Sequence, residues 1–217
     1  MAKLYFFYSA MNAGKTTSLL QSAHNYRQRG MTALIYTPER DLRGGAAVVS
    51  SRIGLQEPAF PFGESFDLFE DIRARRAAGP VDCVFVDEAQ FLTPAQVLQL
   101  TMVCDQLNIP ALTYGLRTDF RGEPFEGSKY LLAWAEELVE VKTVCRSGRK
   151  ATMSARMSAE GGREIEGEQV QIGYHYEPLS RHLFNLPACS PIPYPPVKPA
   201  LAPLPPSGAS APPDEAP

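Results

Sequence analysis

The sequence predicts an α/β fold in which a parallel sheet is covered by helices on both faces. Two observations carry this. Apolar runs of strand length alternate with stretches of helical periodicity, and the first run passes directly into a Gly-Lys-Thr turn that opens a helix. Size agrees, because 217 residues that are 44% hydrophobic suffice for one α/β domain plus something smaller.

Residues 4–8 are aromatic-rich and alternate little, as a strand buried on both faces does. They follow Met1-Ala2-Lys3 directly and read as a first strand, not a secretory leader. From Lys15 to about Gln28 the residues Leu19, Leu20, Ala23 and Tyr26 recur at helical spacing, and Gly30 ends that helix. Residues 32–36 form a second apolar run, closed by Thr37 and Pro38. A helix is predicted over 65–76, with Phe66, Phe69 and Ile72 on one face. Residues 82–86 make an interior strand, 94–107 a helix with proline in its first turn, and 109–114 another strand. A last helix is predicted over 128–139, through Leu131, Leu132, Ala135 and Leu138.

After Val144 the character changes. Residues 149–173 are rich in Gly, Arg, Glu and Ser, which predicts a long loop or a small ribbon. The segment 187–217 holds 12 of the 20 prolines and is expected to be an extended tail; a ligand for a proline-reading domain is the alternative. The expected organisation is a nucleotide-binding domain over 1–144, a small lid over 145–186, and a disordered proline-rich tail over 187–217. The cysteines Cys83, Cys104, Cys145 and Cys189 form no close pair and are expected to be free thiols. No stretch approaches the ~20 apolar residues of a membrane span, so a cytoplasmic location and no membrane partner are expected. The formal charge of -3 argues against a nucleic-acid partner and favours a small molecule.

The chemistry begins at Ser9-Ala10-Met11-Asn12-Ala13-Gly14-Lys15-Thr16, between a strand and a helix. Apart from its first position it fits the G-x-x-x-x-G-K-[ST] phosphate loop. Successive backbone N–H groups of such a loop curl around phosphates, aided by the partial positive charge of the helix N-terminus. Lys15 is placed to reach the β- and γ-phosphates of ATP, and the Thr16 hydroxyl to hold magnesium. Ser9 departs from the pattern, since serine resists the positive φ open to glycine.

The second block is Asp87-Glu88-Ala89-Gln90, at the end of a predicted buried strand. In α/β sheets ligands bind at that edge. Asp87 suits the magnesium side, and Glu88 is placed to take a proton from an attacking hydroxyl. The four residues join 9–16 as the predicted nucleotide-binding set. They also fit the D-E-x-x box of helicases, but the chain turns to proline where a second motor lobe would begin.

Further blocks follow in order. They are Val49-Ser50-Ser51-Arg52-Ile53-Gly54-Leu55, Tyr114-Gly115-Leu116-Arg117-Thr118-Asp119-Phe120-Arg121-Gly122-Glu123, and Tyr130-Leu131-Leu132-Ala133-Trp134. Together with the phosphate loop and Asp87–Leu92, they closely resemble the thymidine kinases of enteric bacteria and animal cytosol, over residues 1–181. The resemblance implies a RecA-like P-loop fold with a small C-terminal lasso subdomain. It implies ATP- and magnesium-dependent phosphorylation of the 5′-hydroxyl of thymidine, with deoxyuridine also accepted, in pyrimidine salvage for DNA synthesis. A homotetramer and inhibition by the end-product triphosphate are further implications. By the same resemblance Glu88 is the catalytic base, Asp41 and Arg43 lie near the phosphates, and Met11, Leu116, Phe120, Phe125 and Ser154 line the nucleoside pocket. Backbone around Gln171-Ile172-Gly173 holds the base edge. Phe91 joins Phe120 and Phe125 as an aromatic able to pack on a planar base, and the 149–173 segment reads as a lid.

Two departures from the family lie near the C-terminus. Relatives carry a four-ligand zinc site, whose positions here are Cys145, Ser147, His182 and Asn185. Only two of these bind zinc well, so the chain is expected to lack zinc, with Cys145, His175, His182 and Cys189 as a substitute set that stays open. Packing of Val141, Val144, Ile172 and Leu179 is then expected to hold the subdomain. Pro178 stands where a tyrosine usually stacks near the substrate, with Tyr174 and Tyr176 close by.

Overall fold

A computed structural model describes residues 1–39, 47–158, 161–170 and 175–187. Asp41, Arg43, Gln171, Ile172, Gly173, Tyr174, Cys189 and the proline-rich segment beyond 187 lie outside the described residues.

Strand β1 (Leu4–Ser9) leads through the phosphate loop into helix α1 (Lys15–Gln28) and strand β2 (Ala33–Pro38). A short antiparallel hairpin follows, β3 (Val48–Ser50) with β4 (Gln56–Pro58), then strand β5 (Phe60–Phe62). Helix α2 spans Leu68–Ala78, three residues later than its periodicity suggests, because the Asp67 side chain accepts the Glu70 N–H and caps it there. Strand β6 (Cys83–Val86) and helix α3 (Pro94–Leu107) come next. Thr93 and Gln96 cap α3 reciprocally, with Pro94 in its first turn. Strand β7 (Ala111–Leu116) and helix α4 (Glu126–Trp134) complete the helical layers.

The helix predicted over 128–139 is corrected here. It stops at Trp134, and Leu138 and Val139 lie in strand β8 (Glu137–Glu140). Eight residues of helical spacing could not reveal this, because β8 is fixed by long-range pairing: Tyr5 to Tyr8 sit opposite Glu137 to Glu140. The sheet order is β5-β2-β6-β7-β1-β8, and every neighbouring pair is parallel. Pro61 is accommodated because β5 is an edge.

Period-two alternation splits the sheet between two cores. Leu4, Phe6, Tyr36, Val84 and Val86 pack with Ile72 of α2 and Leu100 of α3. Ile35, Phe85 and Tyr114 pack against Leu19, Leu20 and Ala23 of α1. Sandwiched this way, the sheet presents the C-terminal ends of β1, β6 and β7 together, where the predicted site residues lie.

The remainder is made of ribbons. Strands β9 (Thr143–Val144) and β10 (Lys150–Ala151) pair antiparallel, as do β11 (Met153–Met157) and β12 (His175–Leu179); the short helix α5 (Arg181–Phe184) follows. Their apolar cluster comprises Cys145, Ala151, Ala155, Met157, Leu179, Leu183 and Phe184. Val144 is exposed, so the expectation that it helps hold this region is corrected: on a two-residue strand its side chain faces out. Cys83, Cys104 and Cys145 are free and buried. Among the described residues no helix is long and apolar enough to cross a membrane.

Candidate active site

The phosphate loop leaves the buried end of β1 and closes on the first residue of α1. Gly14 has φ +82°, a conformation that side chains resist, and Asn12 is also left-handed at φ +60°. Ser9 is not among the positive-φ residues, so serine costs the loop nothing at its first position. Its hydroxyl instead accepts a hydrogen bond from Lys15 Nζ at 3.0 Å, and Nζ also donates to the Ala10 carbonyl at 3.3 Å. The ammonium is folded back onto its own loop. Burial pulls Lys15 below the ordinary lysine pKa, while the charges of Glu88 and Asp87 pull it back up.

Asp87 follows β6 and is 4% exposed. The Thr16 hydroxyl donates to its carboxylate at 3.1 Å. Burial, and then the charge of Glu88, push Asp87 up to about 7, against the pull of the Thr16 hydrogen bond and Lys15. A buried carboxylate so short of positive charge, with a hydroxyl beside it, suits a divalent cation. The donor chemistry of Thr16 and Asp87 therefore fits magnesium.

Glu88 has φ +47° and ψ +41°, a strained conformation for a non-glycine residue, and caps a 3₁₀ turn over Ala89–Phe91. The Gln90 side chain fixes its carboxylate: Nε2 donates to Glu88 at 2.5 Å, while Oε1 accepts the Leu116 N–H at 3.0 Å. This contact needs a glycine beside it, because a Cβ on Gly115 would come within 2.9 Å of the Gln90 backbone nitrogen and 3.0 Å of its Oε1. Gln90, expected in the nucleotide-binding set, is hydrogen-bonded to the Glu88 carboxylate.

A cavity of about 270 Å³ gathers these groups. Residues 11–17, Asp87, Glu88 and Leu116 line it, together with Val48, Ser50, Arg52 and Ile53 from the β3–β4 hairpin. Of the predicted nucleoside contacts, Met11 and Leu116 reach this lining. Ser154 lies behind it and accepts the Met11 N–H at 2.9 Å; Asn12 Nδ2 donates to the Tyr176 carbonyl at 3.4 Å. These bonds seat the β11–β12 ribbon on the phosphate loop. Pro178 pairs with Ser154 across that ribbon. Phe125 is buried with Phe91 edge-on to it at 5.8 Å, and Phe120 is buried beneath Arg156.

Arg156 escaped the sequence reading. It is fully buried with its guanidinium 3.6 Å from the Phe120 ring centroid. Its nitrogens donate to the carbonyls of Glu166 and Glu168 at 2.8 and 2.9 Å and pair with the Glu164 carboxylate at 2.7 Å. Residues 164–168 therefore wrap one cation. Gly167, at φ +119°, lets them do so, since a Cβ there would sit 2.5 Å from Arg156. Buried Asp119 accepts from Gln169 at 3.2 Å and ties down the next turn. The signal in the sequence was faint: one arginine inside Met153-Ser154-Ala155-Arg156-Met157, in a strand whose burial only tertiary packing sets.

The Thymidine kinase family model matches residues 2–184. A protein named Thymidine kinase from Xanthomonas campestris pv. campestris (strain 8004) is 59% identical over 188 residues, spanning 85% of this chain and 90% of the relative. Proteins of the same name from Salmonella paratyphi A and Escherichia coli O157:H7 are 60% and 59% identical over 173 residues, 80% of this chain and 84% of each relative. The chain belongs to the thymidine kinase family.

As a thymidine kinase family member it is a phosphotransferase, and its catalytic equipment divides unevenly. The phosphate-loop residues, Glu88 and the Gln90 side chain bonded to it lie together at the cavity. The zinc positions of the family do not fit a metal: Cys145 is buried in the apolar cluster, Ser147 offers a hydroxyl, and His182 and Asn185 are exposed on and after α5. Among the described residues no group of three or more His, Cys, Asp or Glu side chains is arranged to hold a metal ion.

Proposed function

We propose that the chain transfers the terminal phosphoryl group of ATP to the 5′-hydroxyl of thymidine, and of deoxyuridine, giving the monophosphate and ADP. The observation that carries this is Glu88, held in a strained conformation by Gln90 on the wall of the cavity that contains Lys15 and Thr16. The Glu88 carboxylate accepts the proton of the 5′-hydroxyl as that oxygen bonds to the γ-phosphorus and the bond to the β–γ bridging oxygen breaks. The loop N–H groups orient the phosphates, and Lys15 turns from Ser9 and Ala10 to meet their charge. Thr16 and Asp87 would hold magnesium, which when bound would supply positive charge against the phosphates. The β11–β12 ribbon and residues 161–170 form a lid subdomain that excludes water from the nucleoside. Exposed Tyr130 and Trp134 on α4, and Leu138 and Val139 on the edge strand β8, are apolar surface that supports self-association, and a homotetramer in the cytoplasm is the assembly this reading takes.

A panel of nucleosides assayed with ATP and magnesium tests this. Thymidine and deoxyuridine are expected to be phosphorylated and purine nucleosides rejected. Lys15→Ala is expected to abolish transfer while keeping the melting temperature. Full turnover by a folded Lys15→Ala variant would remove the assignment.

A further inference from the structure

The β3–β4 hairpin has no catalytic task in the reading above, yet four of its residues line the cavity. Its turn is firmly built. The Ser51 N–H donates to the Leu55 carbonyl at 2.8 Å, the Leu55 N–H to the Ser51 hydroxyl at 3.0 Å, and the Gly54 N–H to the Ser51 carbonyl at 3.1 Å. Gly54, at φ +90°, permits the reversal. Ser51 is buried, so the backbone that carries Arg52 is anchored although its side chain is exposed. Among the described residues no carboxylate or carbonyl is hydrogen-bonded or ion-paired to the Arg52 guanidinium, whereas Arg27, Arg73, Arg75, Arg121, Arg146 and Arg156 all have such partners. A guanidinium on the wall of this cavity with no such partner among the described residues suits a planar, multiply acceptor-bearing anion. Arg52 is near enough for its charge to oppose protonation of Lys15.

We propose that Arg52 is a catalytic residue of the donor side, binding the terminal phosphate of the nucleoside triphosphate and stabilising charge on it during transfer. This rests on the donor reading of the phosphate loop. Lys15 and the loop cradle the phosphate chain from one wall, and Arg52 meets its outermost group from the hairpin. The transition state spreads charge over the equatorial oxygens of the transferred group, where a guanidinium carried on an anchored turn contributes most.

The test compares wild type, Arg52→Ala and Arg52→Lys. Calorimetry with ATP and with ADP, both with magnesium and without nucleoside, is combined with steady-state kcat and KM. Arg52→Ala should lower kcat on the order of 10²-fold, weaken ATP about tenfold, and leave ADP affinity and the thymidine KM within about twofold. Arg52→Lys should recover part of the ATP affinity and little of kcat. If Arg52→Ala keeps wild-type kcat and the wild-type ratio of ATP to ADP affinity, Arg52 is a solvated surface residue and the proposal fails. Equal loss of ATP and ADP would also overturn it, placing the contact on the inner phosphates. Wild-type protein that binds neither nucleotide would instead remove the donor reading itself, an outcome read before any variant is compared.

Discussion

The sheet end that carries the phosphate loop and the ribbons that cover it are stabilised by different chemistry. Around β1, β6 and β7 the packing is apolar on both faces, and Lys15, Asp87 and Gln90 are among the few polar side chains buried there. In the ribbons the apolar cluster is small, and buried cations provide order: Arg146 pairs with Glu177, and Arg156 gathers the Glu164 carboxylate and the backbone carbonyls of Glu166 and Glu168. Breaking a buried ion pair from one side costs about 3–5 kcal/mol, comparable to emptying a large side chain from a core. The difference implies a division of labour: residues at the sheet should govern chemical rate, and residues in the ribbons should govern retention of the nucleoside.

Glu88→Gln probes the sheet side at its strongest point. The amide keeps the size and reach of the acid but cannot take the proton, so kcat should fall on the order of 10²–10⁴-fold. ATP affinity should change little, because Lys15, Thr16 and Asp87 persist. Unchanged kcat with collapsed ATP affinity would make Glu88 a cation ligand and erase the contrast on that side.

Arg156→Met tests the ribbon side. It preserves much of the volume beneath Phe120 and removes the cation that 164–168 enclose. Thymidine KM should rise on the order of tenfold or more while ATP binding stays near wild type, and stability should fall by about 2–4 kcal/mol. A loss confined to kcat, with KM and melting temperature preserved, would show that the two regions are not divided as described.

The same contrast explains what could be read from the chain. The phosphate loop, Asp87, Glu88 and the alternation of strands with helices are local patterns, and local patterns survive in a sequence. Strand β8 did not, because Leu138 continues the helical spacing of Leu131 and Ala135 and only pairing with β1 decides otherwise. The role of Gln90 was hidden likewise: its partner N–H belongs to Leu116, 26 residues away. Arg156 is the extreme case, since nothing in residue type separates a buried guanidinium from a solvated one. The order of the ribbons thus lies in contacts that spacing does not encode.

The smallest expected effect is that of a chelator. If buried ions and the Cys145–Phe184 cluster hold the ribbons, removing metal should leave apo-protein melting temperature unchanged, and protein purified without chelator should carry far less than one zinc per chain. Burial pushes the Cys145 thiol up, but hydrogen bonds from Ser147 and Ser180 outweigh it and hold it below the usual cysteine pKa. That shift lies in the direction that eases the deprotonation zinc binding requires. A single thiolate does not make a structural site, which needs four good donors in a tetrahedron, and the hydroxyl of Ser147 and the amide of Asn185 are poor ones. His182 is exposed on α5 and His175 is exposed at the start of β12, so either would have to turn inward to reach Cys145. One zinc per chain, lost with a drop of several degrees on adding chelator, would show that metal and not Arg156 or Arg146 orders this region. Cys145→Ser separates the cases: with no zinc it should cost about 1 kcal/mol as a small buried substitution, whereas with a zinc it should release the metal and mimic the chelator.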